Sequence, residues 1–540
     1  MPFVRVRFLA LAGCAFCLVA AWTVLEMRMS GRGAQSALGA LACLVAFSVG
    51  LACGGLAVLP DRFWQVAQSA TMRSLDQLAE IATPISTRFA IGQIIAAGVA
   101  FLLIASHIGP LQILANNSDQ GAYLQTATEI QRDGGVLQLL VNLMTGRFSE
   151  ANRHPLYLAL LSLWPTPIAG QLLSAAFGLA TIWGMAPLIM RKFGASVAAV
   201  FCTLLATNFA CCYASTLVMC ESLLTLLATA GWLWFGFPET EWSRRSSETG
   251  EPGGVSPRTP LMKSPGADVA RLTSFQREMQ SPFLAGCCLG TLYLTKGTGL
   301  LWLAGYCVWL VVSPNRVSTT SDSMDANSIS KTGRLSRLLI SLAFVVTGWV
   351  LIASPLLVRN WLRFESLTYN VNSWLLFVDE FKDPNALAES TSLGEAARQY
   401  WESHSIRQIA ERGAMGLVWE TFILIRSLGP APLGESRVLF GAPLLGLAVL
   451  GLLIERRVNT LLLPIWLAIC LPVFGWYVPV AAGERFILPL VPPLLVFASI
   501  GIVRLAHLWQ RERATLMIPI GCMAWLVVWT ALTLRISELS

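Results

Sequence analysis

Ten side chains far apart in this sequence are of the types that move protons and hold anions: Asp119, Tyr123, Arg153, His154, Tyr157, Glu221, Lys296, Arg359, Glu484 and Arg485. Asp119 and Tyr123 lie four apart in NNSDQGAYLQTATEIQRDGG, so a helix sets them on one edge. Ser118 or Asp119 is a natural N-cap for that helix and Gly134 a natural stop, which predicts about four turns. Arg153, His154, Pro155 and Tyr157 open the run NRHPLYLALLSLW, just ahead of an apolar stretch. Glu221 stands in VMCESLLTLL, Lys296 in LYLTKGTGL, Arg359 in SPLLVRNWLRF, and Glu484 and Arg485 in AAGERFILPLVPP. A carboxylate within hydrogen-bond reach of a hydroxyl can take its proton. An Arg can hold a phosphate through two parallel hydrogen bonds.

The elements that must position these groups are apolar. Of 540 residues, 55% are hydrophobic and 13% charged, about half the charge of a soluble domain. The apolar residues fall in blocks of roughly bilayer length along nearly the whole chain. This excludes a soluble enzyme, a disordered chain and a secreted disulfide scaffold. The expectation is an all-α polytopic membrane protein of about 13 transmembrane helices, with spans at 8–27, 37–59, 89–108, 167–190, 195–212, 214–236, 282–296, 298–313, 337–356, 438–454, 459–478, 486–504 and 515–534. Block 8–27 reads as a signal anchor. The 13 cysteines lie in or beside apolar blocks and read as small apolar residues. The net charge of +7 is spread over loops, so it points to orientation and not to nucleic acid.

Orientation follows from the basic residues. With the N-terminus cytoplasmic, inner segments hold 22 of the 38 Lys and Arg; outside the long loop 357–437, outer segments hold eight. Long loops hardly count in this rule. Inner loops 237–281 and 314–336, rich in Ser, Thr, Gly and Pro, read as flexible linkers. Outer loops 109–166 and 357–437 mix aromatic, charged and apolar residues, so they are expected to fold on the membrane surface and carry function. Residues 414–429 read as an interfacial helix. In this frame Asp119, His154, Lys296, Arg359, Glu484 and Arg485 all reach the outer face, with Glu221 about two turns below it. Each has a simpler role open to it: a helix cap for Asp119, an interfacial anchor for Tyr123, snorkelling for a single base at a span end.

The pattern resembles the membrane-embedded glycosyltransferases of the GT-C superfamily. It is most similar to the dolichyl-phosphate-mannose–protein mannosyltransferases and the bacterial aminoarabinose (lipid A) transferases. The matching residues are Asp119, His154-Pro155-Leu156-Tyr157, Thr295-Lys296-Gly297, Arg359-Asn360 and Glu484 to Pro489, in family order. The resemblance runs from about residue 89 to 505. It divides the chain into 1–88, two extra N-terminal transmembrane helices with a cytoplasmic linker, and 89–540, a glycosyltransferase transmembrane domain.

The resemblance implies an inverting transfer of a hexosyl or pentosyl unit from a polyprenyl-phosphate carrier to a protein, lipid or glycan acceptor. The site would face the periplasm from a bacterial inner membrane. Asp119 would be the base. Lys296, Arg359, Arg485, His154, Tyr123 and Glu484 would hold substrate or phosphate, with Glu221, Arg153 and Tyr157 in support. Many relatives carry a second acid directly after the first, where this chain has Gln120. No cofactor is assigned, and a divalent metal ion stays an open possibility without assigned ligands. The alternatives are a transporter or flippase of a lipid-linked carrier, and a glycan ligase or polymerase using the same carriers.

Overall fold

The structure is a computed structural model that describes residues 86–109, 119–236, 267–313, 331–455, 458–481, 483–509 and 514–535. Blocks 8–27 and 37–59, the expected N-terminal helices, lie outside the described residues, as does Ser118. The chain is an all-α integral membrane protein. Among the described residues there is no strand, and Asn208 and Pro430 form an isolated antiparallel bridge. Among the described residues, five helices are long and apolar enough to cross a membrane: Thr87–Ile108, Pro167–Phe193, Leu335–Phe364, Glu484–Leu508 and Met517–Arg535. Blocks 195–212, 282–296, 298–313, 438–454 and 459–478 correspond to apolar helices of 10–17 residues.

Local chemistry explains the shortened blocks. Helix Ala195–Ala206 stops because the Asn208 side chain caps a new helix, Phe209–Ala214, by accepting from Cys211 N at 3.0 Å. The last block of this region begins only at Glu221, in helix Glu221–Gly236. Glu221 therefore opens its helix, where the expected span 214–236 has it two turns in. Block 337–356 belongs to a 34-residue helix, Lys331–Phe364. At 1.5 Å per residue that helix is about 50 Å long, more than a bilayer core. Pro355 lies inside it. A proline frees the carbonyl four residues back, and Ser354 Oγ donates to that carbonyl, Leu351 O, at 2.8 Å. The helix thus carries Arg359 within it.

The contacts divide the chain into two compact units. The larger comprises Thr83–Asn370, Arg426–Ile469 and Ile487–Ser540. Its helix Val491–Trp509 is buried on every side over residues 491–500, where Val491, Leu495, Val496 and Phe497 are fully enclosed. Such all-round burial marks a central helix. Glycines let its neighbours approach. Gly451 lies against the Phe497 carbonyl and Gly501 against the Leu447 carbonyl. Helix Ala267–Thr295 meets Lys331–Phe364 in the same way, with Gly286 on the carbonyl of Val345 and Gly348 on that of Phe283. Small residues at such crossings replace the hydrophobic drive that lipid removes.

The smaller unit, among the described residues, comprises Val371–Ile425 and Cys470–Phe486. It holds a 3-10 turn, Val371–Phe377, and helices Pro384–Ser390 and Leu393–Ser403. Most of helix Ile406–Ser427 also belongs to it; this helix contains all but the last two residues of 414–429 and is not among the five of crossing length and apolarity. Both 109–166 and 357–437 therefore carry helices.

The Gly286 crossing supplies a test. Gly286→Leu places a branched side chain against the Val345 backbone, where nothing flexible can yield. It is expected to cost about 3 kcal/mol or more. Thermal unfolding of the purified protein should show the loss, and Gly446→Leu, at a glycine with open space, should leave stability near wild type.

Candidate functional site

Within the larger unit, several sequence-marked residues come together at helix ends. Helix Asp119–Arg132 forms over four turns as the caps predict, and Gly134 and Gly135 follow it at φ +115° and +75°. Such positive φ suits glycine. Helix Pro155–Leu161 opens with proline at its first position and His154 as N-cap residue. Lys296 ends helix Ala267–Thr295, and Gly297 begins the turn to the next helix, Gly299–Val312.

Lys296 Nζ donates to Glu221 Oε1 at 2.9 Å. The Glu221 side chain is 4% exposed and that of Lys296 20%. Glu221 starts its helix, where backbone N–H groups favour a carboxylate. Its other oxygen, Oε2, is buried without a hydrogen-bond partner among the described residues. The neighbouring Cys220 Sγ accepts from the Tyr123 hydroxyl at 3.2 Å. Burial, with Cys220 and Glu221 nearby, pushes the Tyr123 phenol well up, so it stays a neutral donor. Tyr123 meets Tyr157 edge to face at 5.5 Å, and the Tyr157 hydroxyl shares a 3.0 Å hydrogen bond with Ser174 Oγ.

Arg153 lies over the Tyr123 ring at 5.6 Å and donates to Glu150 Oε2 at 2.9 Å. Glu150 Oε1 in turn accepts from the backbone N–H groups of Asn152 and Arg153. This fixes the turn that presents His154. His154 Nδ1 faces the carbonyl oxygen of Tyr293. A carbonyl only accepts, so Nδ1 carries the proton and Nε2 keeps its lone pair in the neutral ring. Nε2 lies 3.2 Å from where a Cβ on Gly297 would sit, and Asn370 closes on the same point. Burial, and secondarily the charges of Arg359 and Lys296, lower the His154 pKa to about 4.

Arg359 is 2% exposed. Its guanidinium lies 5.8 Å from the Phe148 ring centre and 5.2 Å from that of Phe364. Nε and Nη1 are buried and find no acceptor among the described residues. Asp119 stands exposed in the first turn of its helix. Gln120, in place of a second acid, uses Oε1 to accept from Val218 N at 2.9 Å. Glu484 and Arg485 belong to the smaller unit, where Arg485 lies over the Phe486 ring at 5.1 Å. No group of three or more His, Cys, Asp or Glu side chains that could hold a metal ion occurs among the described residues, and Gln120 is committed to the backbone.

Sequence reasoning missed Glu150, Tyr293 and Asn370. The Glu150-x-x-Arg153 spacing could have revealed the first. The other two act through a backbone carbonyl and a tertiary approach, which leave no mark in the sequence.

No protein-family model matches the chain, and no curated protein matches it. Among solved structures the chain is similar to ArnT from Cupriavidus metallidurans in the apo state, at 14% identity and a TM-score of 0.45, covering 82% of this chain and 76% of that one. The undecaprenyl phosphate-bound form of that protein gives 13% and 0.44. The chain is also similar to the archaeal oligosaccharyltransferase AglB from Archaeoglobus fulgidus, in complex with an inhibitory peptide and a dolichol-phosphate, at 13% identity and a TM-score of 0.39. That match covers 82% of this chain and spans 56% of the archaeal one.

The His154 ring gives a pH test. Its folded pKa of about 4 lies below the ordinary 6.5, so between pH 7 and 5 the unfolded chain takes up a proton that the folded one refuses. Stability should fall as pH falls, by about 2 kcal/mol over that interval from this residue. His154→Gln should flatten that part of the slope in pH-dependent unfolding.

Proposed function

We propose that the chain is an inverting glycosyltransferase. It moves a sugar from a polyprenyl-phosphate carrier to an acceptor hydroxyl at the periplasmic face of a bacterial inner membrane. The observation that carries this reading is Arg359, a buried guanidinium whose Nε and Nη1 find no acceptor among the described residues. A buried charge left without a partner is costly, and a phosphate that supplies two oxygens removes that cost.

In this reading the acceptor oxygen attacks the anomeric carbon from the face opposite the phosphate. The bond from carbon to phosphate oxygen breaks, its electron pair leaves with the polyprenyl phosphate, and the configuration inverts. Asp119, exposed at the start of its helix, takes the acceptor proton. Arg359 and Lys296 stabilise the charge that grows on the leaving phosphate; the resemblance assigns Arg485 a phosphate-binding role as well. Glu221 holds Lys296 in place while Tyr123, Tyr157 and Arg153 support that wall of the site. His154, being neutral with a free lone pair on Nε2, suits a sugar hydroxyl better than the phosphate. Glu484 lies beside Arg485 in sequence and contributes a carboxylate for a further hydroxyl. No nucleotide sugar is required, because the carrier enters from the lipid.

The test uses purified protein in lipid bilayers with a radiolabelled sugar on undecaprenyl phosphate and candidate acceptors. Wild type is expected to release the label from the carrier. Asp119→Asn should slow that release by about a hundredfold or more while still binding carrier. Arg359→Gln should weaken carrier binding by about tenfold or more. Movement of intact labelled carrier between leaflets, without release of sugar and unchanged in Asp119→Asn, would establish the flippase reading instead.

A further inference from the structure

The smaller unit contains a charge network that the proposed chemistry leaves unused. Arg412, on helix Ile406–Ser427, is 9% exposed. Its Nε donates to the carbonyl oxygen of Trp476 at 3.1 Å. Its Nη1 donates to Asp379 Oδ1 at 3.2 Å and to the Tyr400 hydroxyl at 3.0 Å. The guanidinium also faces the rings of Tyr400, at 5.1 Å, and Trp476, at 4.8 Å. The second Asp379 oxygen lies 2.9 Å from His404 Nε2. Arg412 is thus oriented from two directions before it reaches Trp476.

Trp476 stands in the last turn of helix Leu462–Tyr477. The last four carbonyls of a helix have no acceptor role inside it, and a cation there is favoured. In this helix Gly475 O accepts from Val478 N, and Tyr477 O from Val480 N and Ala481 N. The carbonyl between them is satisfied by Arg412, a cap delivered from another helix. Two further contacts fix the same turn. Trp476 Nε1 donates to Leu376 O at 2.8 Å, and Gly416, one turn beyond Arg412, meets Gly475 backbone to backbone.

This capped turn leads directly to Arg485. Phe486 packs on Tyr477 and on Phe474, with ring centres 5.7 Å apart in each pair. Arg485 rests over the Phe486 ring at 5.1 Å. The contacts therefore run from Asp379 and Tyr400 to Arg412, through the end of the helix, to Phe486 and Arg485.

We infer that Arg412 is a positioning residue for the carrier phosphate: by capping the helix that ends at Tyr477 it fixes where Arg485 presents its guanidinium. The inference rests on the role proposed above for Arg485. Arg412 itself touches no reacting atom.

The experiment is a double-mutant cycle read as the affinity of the full chain for undecaprenyl phosphate in lipid nanodiscs, with thermal unfolding measured alongside. Arg485→Gln and Arg412→Met are each expected to weaken binding by about tenfold, and the double variant no further than Arg485→Gln alone. Arg412→Lys should recover part of the loss, because an ammonium still reaches the Trp476 carbonyl. Additive losses in the double variant, or wild-type affinity in Arg412→Met, overturn the positioning role. Wild-type affinity in Arg485→Gln overturns the assignment of Arg485, and the positioning role with it. Should Arg412→Met fail to fold, Asp379→Asn replaces it. That side chain is 61% exposed, and its loss of charge releases Arg412 without emptying the core. The same non-additivity with Arg485→Gln is expected.

Discussion

Charge held away from water organises the larger unit. Removing an ionised group from water costs several kcal/mol even after the protein relaxes, and the cost is recovered only by good partners. Glu221 recovers it through Lys296, at 2.9 Å and at the start of a helix. Arg359 recovers part of it through the faces of Phe148 and Phe364 and the charge of Glu150. Its Nε and Nη1, buried without an acceptor among the described residues, mean that the fold has already desolvated a cation before any ligand arrives. A phosphate entering beside it therefore gains a partner at little reorganisation cost, which is how preorganised sites stabilise developing charge.

Much of the surrounding structure can be understood as what keeps those charges where they are. Lys296 sits at the end of one long helix and Arg359 inside another, and the two helices cross on glycines that allow backbone contact. Ser354 mends the helix at Pro355, so the rod continues to Arg359 without a free carbonyl. Glu150 satisfies the turn before His154, and the Tyr293 carbonyl then selects the ring's tautomer. Each of these is a local solution to an unsatisfied polar group, and together they leave few ways for the site to move.

The sequence made some of this legible and hid the rest for physical reasons. Helix Asp119–Arg132 was readable because its start and stop depend on nearby residues, an acid in the first turn and two glycines at the end. The run from Arg153 to Tyr157 was readable as a cluster of types. The place of Glu221 was not, because apolar residues flank it on both sides and periodicity cannot show a helix that restarts there. That one helix carries Arg359 past the end of the expected span was hidden, because Ser354 satisfies the carbonyl that Pro355 frees. The tautomer of His154 was not legible, because a carbonyl 139 residues away sets it. Arg412 gave no signal, because its acceptors are a backbone oxygen and two side chains, each from a different segment.

The most direct test of the account is a cryo-electron microscopy map of the protein with undecaprenyl phosphate bound in a lipid nanodisc. The account predicts phosphate density within hydrogen-bond distance of Arg359 Nε or Nη1, with the Glu221–Lys296 pair beside it. Phosphate density held elsewhere, with Arg359 paired to a protein carboxylate or carbonyl, would contradict it.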